Sequence, residues 1–416
     1  MTNKILIKVQ CFIVLVMIVL INVSSVAAVS EAPEVKAQSA ILVESKRGQI
    51  LFEKDSKSKL HISSANKIMT ALLALEKAGT KLDAQVTISK NALAVEGSTL
   101  NLEVGGKYSV EDLVYTVILT SANDSAVALA EYVGGDLKTF IEIMNDKARE
   151  LKMKDTKFIN STGLYDEAQY TTAYDLALLT RFALSNPYFE RIFSSQAKLW
   201  NNQDKVEIIT NSNNLFWSYD GIDGGKTGYN EIERQTAITT ATRDNMRIIS
   251  IVLDSPEGSI YDDTTKMLDY GFSNYKTGIL VKKDQIIKSI PVSDQEVSLI
   301  SPIDVYYTFP IGEDYIKAFD FKVKEEMELP VLKTKSVGIM KYILNDGTEI
   351  SVDLYPVSNV YSSVDMFSSL VKSMIEYRDI TILLLVLVGA EVILILVKIF
   401  KAIKSALSNL LSKSGD

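Results

Sequence analysis

SANKIMTALLALE, residues 64–76, is the stretch that decides the fold of this chain. Its apolar residues recur at the spacing of one helix face, which predicts a helix that begins at Ser64: Ile68, Met69, Leu72, Leu73 and Leu75. Ser64 and Lys67 then lie one turn apart on the same face. A helix N-terminus also favours negative charge, through its free N–H groups and its dipole. The stretch therefore predicts a serine nucleophile with an amine beside it.

Two later motifs complete this chemistry: Ser121-Ala122-Asn123 and Lys226-Thr227-Gly228. Together with Ser64-Ala65-Asn66-Lys67 they form a set that is typical of serine acyl transfer without histidine. The only histidine, His61, is too near Ser64 in sequence to be a natural triad partner. Each motif occurs often by chance, so the prediction depends on all three in this order.

A serine hydroxyl needs a base before it becomes a good nucleophile. Lys67 can be that base if burial and a second cation, Lys226, lower its pKa. Ser121 can relay the proton to the leaving amine. The oxyanion needs two fixed N–H donors, and we expect these to be the backbone groups of Ser64 and Tyr229.

The remaining motif residues are predicted to bind substrate. Asn123 offers a side-chain amide to a substrate carbonyl. Lys226 and Thr227, followed by Gly228, are placed to hold an anionic group of the substrate.

Composition excludes several other classes of function. The net charge is -8 and no basic tract lies outside the termini, so nucleic acid is not an expected partner. The single cysteine, Cys11, cannot form a disulfide within the chain, and with one histidine a zinc site is not expected. No metal and no cofactor is predicted.

The N-terminus resembles a secretory signal. Lys4 and Lys8 precede an apolar run, 9–23, and small residues follow it. This pattern predicts a signal peptide over residues 1–28, cleaved after Ala28 or Ala27. An uncleaved membrane anchor is the alternative. Residues 29–38 are then a short leader.

The C-terminus predicts a membrane anchor. Residues 380–400 are long and apolar enough to span a bilayer as a helix, and 358–379 form an amphipathic linker helix before them. The lysines that follow predict a cytoplasmic basic tail, 401–416, with the body of the protein outside the cell membrane. Glu391 within the span either pairs with another helix or is merely tolerated.

The middle of the chain predicts two domains. Residues 39–275 are expected to form an α/β (α+β) catalytic domain in which an antiparallel sheet is flanked by helices. Strands are predicted at 39–52 as a hairpin, at 235–242 and at 246–253, and a glycine-rich approach to a strand at 221–229. Helices are predicted at 111–133, with an interruption at the polar cluster 121–124, at 174–184 and at 264–272. Residues 276–357 carry short β-rich runs, with a hairpin turn signal at 345–347, and predict a small all-β domain.

Longer segments around the three short motifs also resemble those of a known protein family. SAILVESKRGQILFEKD, LTSANDSAVALAEYVGG, TKFINSTGL and GIDGGKTGY are similar to segments of the D-alanyl-D-alanine carboxypeptidases, the low-molecular-weight penicillin-binding proteins of the S11 serine peptidase type. The resemblance runs from about Ser39 to Val357. It implies removal of the terminal D-alanine from peptidoglycan stem pentapeptides through an acyl-enzyme on Ser64, and acylation of the same serine by β-lactams.

The chain departs from this pattern at four places. Ile62-Ser63 stands where the family has Pro-Ala, and Gln169 where it often has His. Asn230 to Arg234, including Glu233, replaces an Ala-Gly pair. Ile260 stands where the family often has an arginine that grips the substrate carboxylate, which leaves a weakly active or inactive wall-binding protein as the alternative function. A class A β-lactamase is a third hypothesis, but no Glu-x-x-Leu-Asn element is present.

Overall fold

The computed structural model describes residues 31–61, 63–202, 205–230, 234–293, 295–312, 315–323 and 329–412. The predicted signal peptide lies outside these residues, as do Ile62, Glu233 and the end of the predicted basic tail. The described chain forms two compact units. The first runs to Ile279 and includes Tyr306–Tyr315, and the second comprises Leu280–Val305 and the residues from Ile316 onward.

The helices of the described residues are, in chain order, α1 Lys67–Ala78, α2 Lys90–Leu93, α3 Val110–Leu119, α4 Asn123–Gly134, α5 Leu137–Glu150, α6 Ala173–Leu184, α7 Pro187–Phe193, α8 Leu215–Ser218, α9 Ile260–Asn274, α10 Ser363–Glu376 and α11 Arg378–Ser412. A short 3-10 helix, Ser63–Asn66, precedes α1.

The strands are β1 Ser39–Glu44, β2 Ile50–Lys54, β3 Gln85–Thr87, β4 Lys107–Ser109, β5 Ala197–Asn202, β6 Lys205–Thr210, β7 Ile222–Asn230, β8 Arg234–Arg243, β9 Met246–Ser255, β10 Tyr275–Val281, β11 Ile286–Val292, β12 Gln295–Ile300, β13 Val305–Pro310, β14 Ile316–Val323, β15 Gly338–Leu344 and β16 Glu349–Pro356.

The first unit is built on a five-stranded antiparallel sheet in the order β2-β1-β9-β8-β7. Because successive side chains of a strand point to opposite faces, each strand feeds two cores. Ile41 and Val43 of β1 pack into the large helical core, whereas Ala40 and Leu42 pack with α9 on the other face. The predicted antiparallel sheet flanked by helices is therefore confirmed.

One strand of the sheet begins earlier in the sequence than predicted. Residues 221–229 were expected to approach a strand, but β7 is itself a strand and forms one edge of the sheet. Close packing explains its glycines: an added Cβ on Gly224 would meet Phe193 at 2.4 Å, and one on Gly225 would meet Asn213 at 2.4 Å. The glycine run is thus a sign of crowding around a strand.

The helical side confirms the predicted interruption of 111–133. α3 ends at Leu119 and α4 begins at Asn123, so the polar cluster lies at the junction. Ser121 adopts a left-handed φ of 63° there. The break therefore places a serine and an asparagine at the end of one buried helix and the start of another.

The second unit confirms the predicted all-β character of this region. Its sheet has five strands in the order β11-β12-β16-β15-β14. Inward residues alternate with exposed ones along β16, where Ile350, Val352 and Leu354 are buried. Asp346 and Gly347 form the predicted turn between β15 and β16, and the Thr348 N–H donates to the Asp346 carboxylate at 2.8 Å.

The chain ends in two helices. α10 falls within the predicted amphipathic linker, and α11 contains the predicted span. Residues Arg378–Lys404 form one helix that is long and apolar enough to cross a membrane, with none of its most apolar window buried against the rest of the protein. α11 is therefore a candidate membrane anchor.

Candidate active site

The nucleophile segment has a tight backbone. Ser64 lies in the 3-10 helix Ser63–Asn66, and the α-helix begins only at Lys67, three residues later than predicted. Ser63 has a left-handed φ of 50°, so the chain turns sharply just before the nucleophile. Ser64 is half-buried at a cleft wall, whereas Lys67 is 1% exposed.

Lys67 is buried, with a backbone carbonyl as a hydrogen-bond partner. Its Nζ donates to the Thr162 carbonyl at 2.5 Å. Burial, and then the positive charge of Lys226, lower the pKa of Lys67 well below its usual range. The predicted base is thus placed where a neutral amine is favoured.

Lys226 is the second buried amine. It is 1% exposed on β7, and its Nζ donates to the Thr227 carbonyl at 2.9 Å. Burial lowers its pKa to about 7. Two lysines of lowered pKa at one site are the pattern expected of functional groups.

Gly228 brings the edge strand against the nucleophile. A Cβ at this position would lie 2.9 Å from the Ser64 Cβ and 3.0 Å from the Ser64 nitrogen. Only glycine permits that approach. The neighbouring Thr227 hydroxyl shares a hydrogen bond with the Ser212 hydroxyl at 2.7 Å.

The second motif supplies a free hydroxyl and an anchored amide. The Ser121 Oγ is buried and has no hydrogen-bond partner among the described residues. The Asn123 Nδ2 donates to the Glu96 carbonyl at 2.6 Å, and the Asn123 N–H donates to the Ser98 carbonyl at 2.7 Å. Since an amide nitrogen has two hydrogens, one remains for a substrate.

These elements enclose a cleft of about 370 Å³. Its wall includes five of the predicted site residues: Ser64, Ser121, Thr227, Gly228 and Tyr229. Lys67, Asn123 and Lys226 are buried behind that wall. In the part of the chain that the structure describes, no group of three or more His, Cys, Asp or Glu could hold a metal ion. The arrangement suits acyl transfer by a serine with amine assistance.

Comparison with known proteins agrees with this chemistry. Residues 26–257, more than half of the chain, match the family described as Peptidase_S11, D-alanyl-D-alanine carboxypeptidase. The chain belongs to this family. Residues 275–362 match the C-terminal domain of penicillin-binding protein 5. The predicted family, enzyme class and fold class are confirmed.

Curated relatives and solved structures share most of the chain. D-alanyl-D-alanine carboxypeptidase DacF of Bacillus subtilis is 33% identical over 73% of this chain and 81% of that protein. DacC of Escherichia coli, a D-alanyl-D-alanine carboxypeptidase, is 32% identical over 79% of this chain and 86% of its own length. Penicillin-binding protein 5 of Haemophilus influenzae is 28% identical, with a TM-score of 0.67 over 80% of this chain and 100% of that structure.

Two of the positions at which the sequence departs from the S11 family pattern can be located in the structure. Ile260 is 4% exposed at the first residue of α9 and lines the cleft. Arg234 pairs with Asp254 at 3.8 Å and is not among the lining residues. Tyr261 donates its hydroxyl to the Ser212 carbonyl at 3.1 Å.

Gln169 proves to be an organising residue. It is 1% exposed, and its Oε1 accepts from the Ile159 N–H at 3.0 Å and from the Asn66 Nδ2 at 3.3 Å. Its Nε2 donates to the Leu164 carbonyl at 3.1 Å. Gln169 therefore ties both ends of the loop that carries the Thr162 carbonyl, the partner of Lys67.

Sequence reasoning missed Thr162, Gln169 as a positioning group, and Asp124. The Asp124 Oδ2 accepts from the Leu100 N–H at 2.9 Å and from the Leu102 N–H at 3.3 Å, which fixes the loop next to Asn123. A backbone carbonyl leaves no signature in a side-chain pattern. For Asp124 a signal was present, because an acid follows Asn123 directly in a strongly apolar segment.

Proposed function

We propose that this chain is a D-alanyl-D-alanine carboxypeptidase that acts through an acyl-enzyme on Ser64. One observation carries the proposal: Ser64 lies at the wall of a cleft, and Lys67 follows it by one helical turn. The lowered pKa of Lys67 favours its neutral amine, which can accept a proton. The substrate would be the peptidoglycan stem pentapeptide. β-Lactams would acylate the same serine and stop there.

In the first step, neutral Lys67 takes the proton of Ser64 as the Oγ attacks the carbonyl of the penultimate D-alanine. The backbone N–H groups of Ser64 and Tyr229 stabilise the oxyanion. The C–N bond then breaks as Ser121 passes its proton to the leaving D-alanine nitrogen and takes the proton held by Lys67 in its place, which returns Lys67 to its neutral form. Water hydrolyses the resulting ester and returns Ser64 to its hydroxyl form.

The other motif residues hold the peptide. The free hydrogen of the Asn123 amide donates to a backbone carbonyl of the substrate. The Thr227 hydroxyl lies beside the reacting bond, and Lys226 supplies positive charge behind it, which also keeps the pKa of Lys67 low. Gly228 lets the substrate and Ser64 share this narrow space.

The location follows from the two ends of the chain. We infer that the signal peptide, 1–28, directs the chain out of the cytoplasm and is removed. α11 then anchors it as a single-pass protein, with the first unit facing the cell wall and residues 401–416 inside. The lysines after the span support this orientation.

The proposal is tested by D-alanine release from a synthetic peptide that ends in D-Ala-D-Ala, alongside labelling with a fluorescent penicillin. Ser64→Ala should abolish both signals. The matched control is Ser63→Ala, which removes the adjacent hydroxyl and should keep both. Release by Ser64→Ala at the wild-type rate would overturn the proposal.

One observation favours a second function. Ile260 occupies the cleft wall without offering a charge, so a wall-binding protein with little turnover is the competing candidate. Penicillin labelling at Ser64 without release of D-alanine would support that function. Release at a rate well above the Ser64→Ala background would exclude it.

A further inference from the structure

The turn just before α8 carries one exposed side chain between two buried ones. Asn211 and Asn213 are buried, whereas Ser212 is exposed and lines the cleft. The Asn211 Nδ2 donates to the Gly225 carbonyl of β7 at 3.0 Å, and the Asn213 Nδ2 donates to the Thr239 hydroxyl of β8 at 2.9 Å. The turn is therefore fastened to the sheet on both sides of Ser212.

The backbone of Ser212 is held by two further elements. Its N–H donates to the Leu119 carbonyl at the end of α3 at 3.1 Å, and its carbonyl accepts from the Tyr261 hydroxyl at the start of α9 at 3.1 Å. The same tyrosine hydroxyl accepts from the Asn214 N–H at 3.3 Å. None of these bonds uses the Ser212 side chain, so the position of this residue does not depend on its own hydroxyl.

The side chain of Ser212 is directed to the third motif. Its Oγ lies 2.7 Å from the Thr227 Oγ1, so one of these hydroxyls donates to the other, and both residues line the cleft. A carboxylate only accepts hydrogen bonds. A Thr227 hydroxyl that donates to a carboxylate can keep its bond to Ser212 only by accepting the Ser212 hydrogen. The three groups then form a chain in which each hydrogen bond strengthens the next.

From this geometry, and resting on the proposed carboxypeptidase function, we propose that Ser212 is a positioning residue for the Thr227 hydroxyl. It donates its hydrogen to Thr227 and so leaves the Thr227 hydrogen free for the anionic end of the bound peptide. Without the Ser212 hydroxyl, the Thr227 hydroxyl can rotate, and fixing its direction again costs part of the binding energy when the substrate enters. Lys226 supplies positive charge at this strand, and Ser212 supplies the direction of the hydrogen bond.

The first test removes this hydroxyl from the full chain purified in detergent. Ser212→Ala should lower kcat/KM for diacetyl-L-Lys-D-Ala-D-Ala by roughly threefold to tenfold, the range of one hydrogen bond. Tm should stay unchanged, because other elements hold the backbone of Ser212. Ser212→Thr keeps a hydroxyl and should restore most of the loss. The matched control is Ser218→Ala, which removes an exposed hydroxyl that donates to the Asn214 carbonyl of the same turn at 3.2 Å, and it should leave kcat/KM unchanged.

A double-mutant cycle tests whether Ser212 acts through Thr227. Acylation by a fluorescent penicillin, which also carries a carboxylate, is followed over hours so that slow variants still give a rate. In a Thr227→Val background, Ser212→Ala should cause no further loss, because the hydroxyl that Ser212 orients is already absent and the effects of coupled residues do not add. An equal loss from Ser212→Ala in both backgrounds would overturn the inference.

The outcomes separate this inference from the proposed function. Wild-type protein that neither releases D-alanine nor is labelled by penicillin would overturn the proposed function, and this inference with it. Active wild-type protein together with a Ser212→Ala variant of unchanged kcat/KM would overturn the role of Ser212 alone. A loss of activity that Ser212→Thr does not restore, and that comes with a lower Tm, would show a purely structural role and would also overturn it.

Discussion

At the scale of single residues, the site depends on two amines that the fold keeps out of water. Burial disfavours the charged form of an amine, so Lys67 and Lys226 cost stability in order to be useful near neutral pH. Each still has a carbonyl partner, Thr162 for Lys67 and Thr227 for Lys226. The structure thus combines desolvation with one hydrogen bond per amine.

In the Lys226→Gln variant, the acidic limb of the pH profile of the acylation rate should move to higher pH. The positive charge of Lys226 is one of the two causes that lower the pKa of Lys67, so removing it raises that pKa and Lys67 becomes neutral only at higher pH. Stopped-flow acylation by penicillin between pH 5 and 10 measures the shift. Lys152→Gln, at an exposed site, serves as the control, and a limb that stays in place would contradict the assigned coupling.

Lys226→Met should raise Tm at pH 7 to 9. The pKa of Lys226 is about 7 in the folded protein and about 10.4 in an unfolded chain. Between these values the unfolded state binds the extra proton, so Lys226 makes wild-type stability rise with pH through this window. The methionine variant should show a smaller rise, because only the contribution of Lys67 remains. Thermal unfolding at several pH values tests this, with Lys81→Met as the exposed control.

At the scale of elements, the approach of β7 to the 3-10 helix brings the edge of the sheet against Ser64, the proposed nucleophile. The contact between Gly228 and Ser64 leaves no room for a methyl group. This closeness could not be read from the sequence, where Lys-Thr-Gly is an ordinary turn motif. It arises only when the edge of the sheet meets the start of α1.

Gly228→Ala should therefore lower the acylation rate by about a hundredfold, the cost of displacing a reacting group by about 1 Å. Gly105→Ala is the matched control. It has open space but a left-handed φ of 79°, so it should cost about 1 kcal/mol of stability and leave acylation intact. An active Gly228→Ala protein would show that the strand can retreat from Ser64.

The loop between Ile159 and Leu164 is the second such element. Gln169→Leu removes the hydrogen bonds that tie its ends and frees the Thr162 carbonyl to move. Because that carbonyl favours the ammonium form of Lys67, its loss should lower the pKa of Lys67 and shift the acid limb of acylation to lower pH. Asn145→Leu, which loses bonds to Phe158, should cost stability without that shift.

Sequence patterns predicted the elements better than their contacts. The β1–β2 hairpin, the break at Ser121 and the helix after Ser64 follow from local periodicity and turn residues. The 3-10 start of the nucleophile helix and the edge position of β7 do not, because both are set by packing between distant segments. The role of Gln169 could not be predicted for a similar reason. It depends on backbone carbonyls, which leave no pattern in the sequence of side chains.

At the scale of the whole molecule, the described chain combines a unit that contains the cleft, a β unit and an apolar terminal helix. A chain that ends at Ser362 should be recovered in the soluble fraction and be acylated by penicillin at the full-length rate, because every lining residue of the cleft precedes that point. Full-length protein should sediment with membranes. A truncated protein that still sediments would assign membrane binding to another segment.

α11 is longer than a bilayer is thick. Its 35 residues extend for about 52 Å at 1.5 Å per residue, whereas the hydrocarbon core is about 30 Å across. If α11 crosses a bilayer as proposed, either the helix tilts or some 15 of its residues lie outside the lipid tails. Lys401 and Lys404 fall in this excess, where anionic lipid headgroups attract basic side chains. In the proposed anchor, the end of the helix would therefore bind lipid charge as well as lipid hydrocarbon.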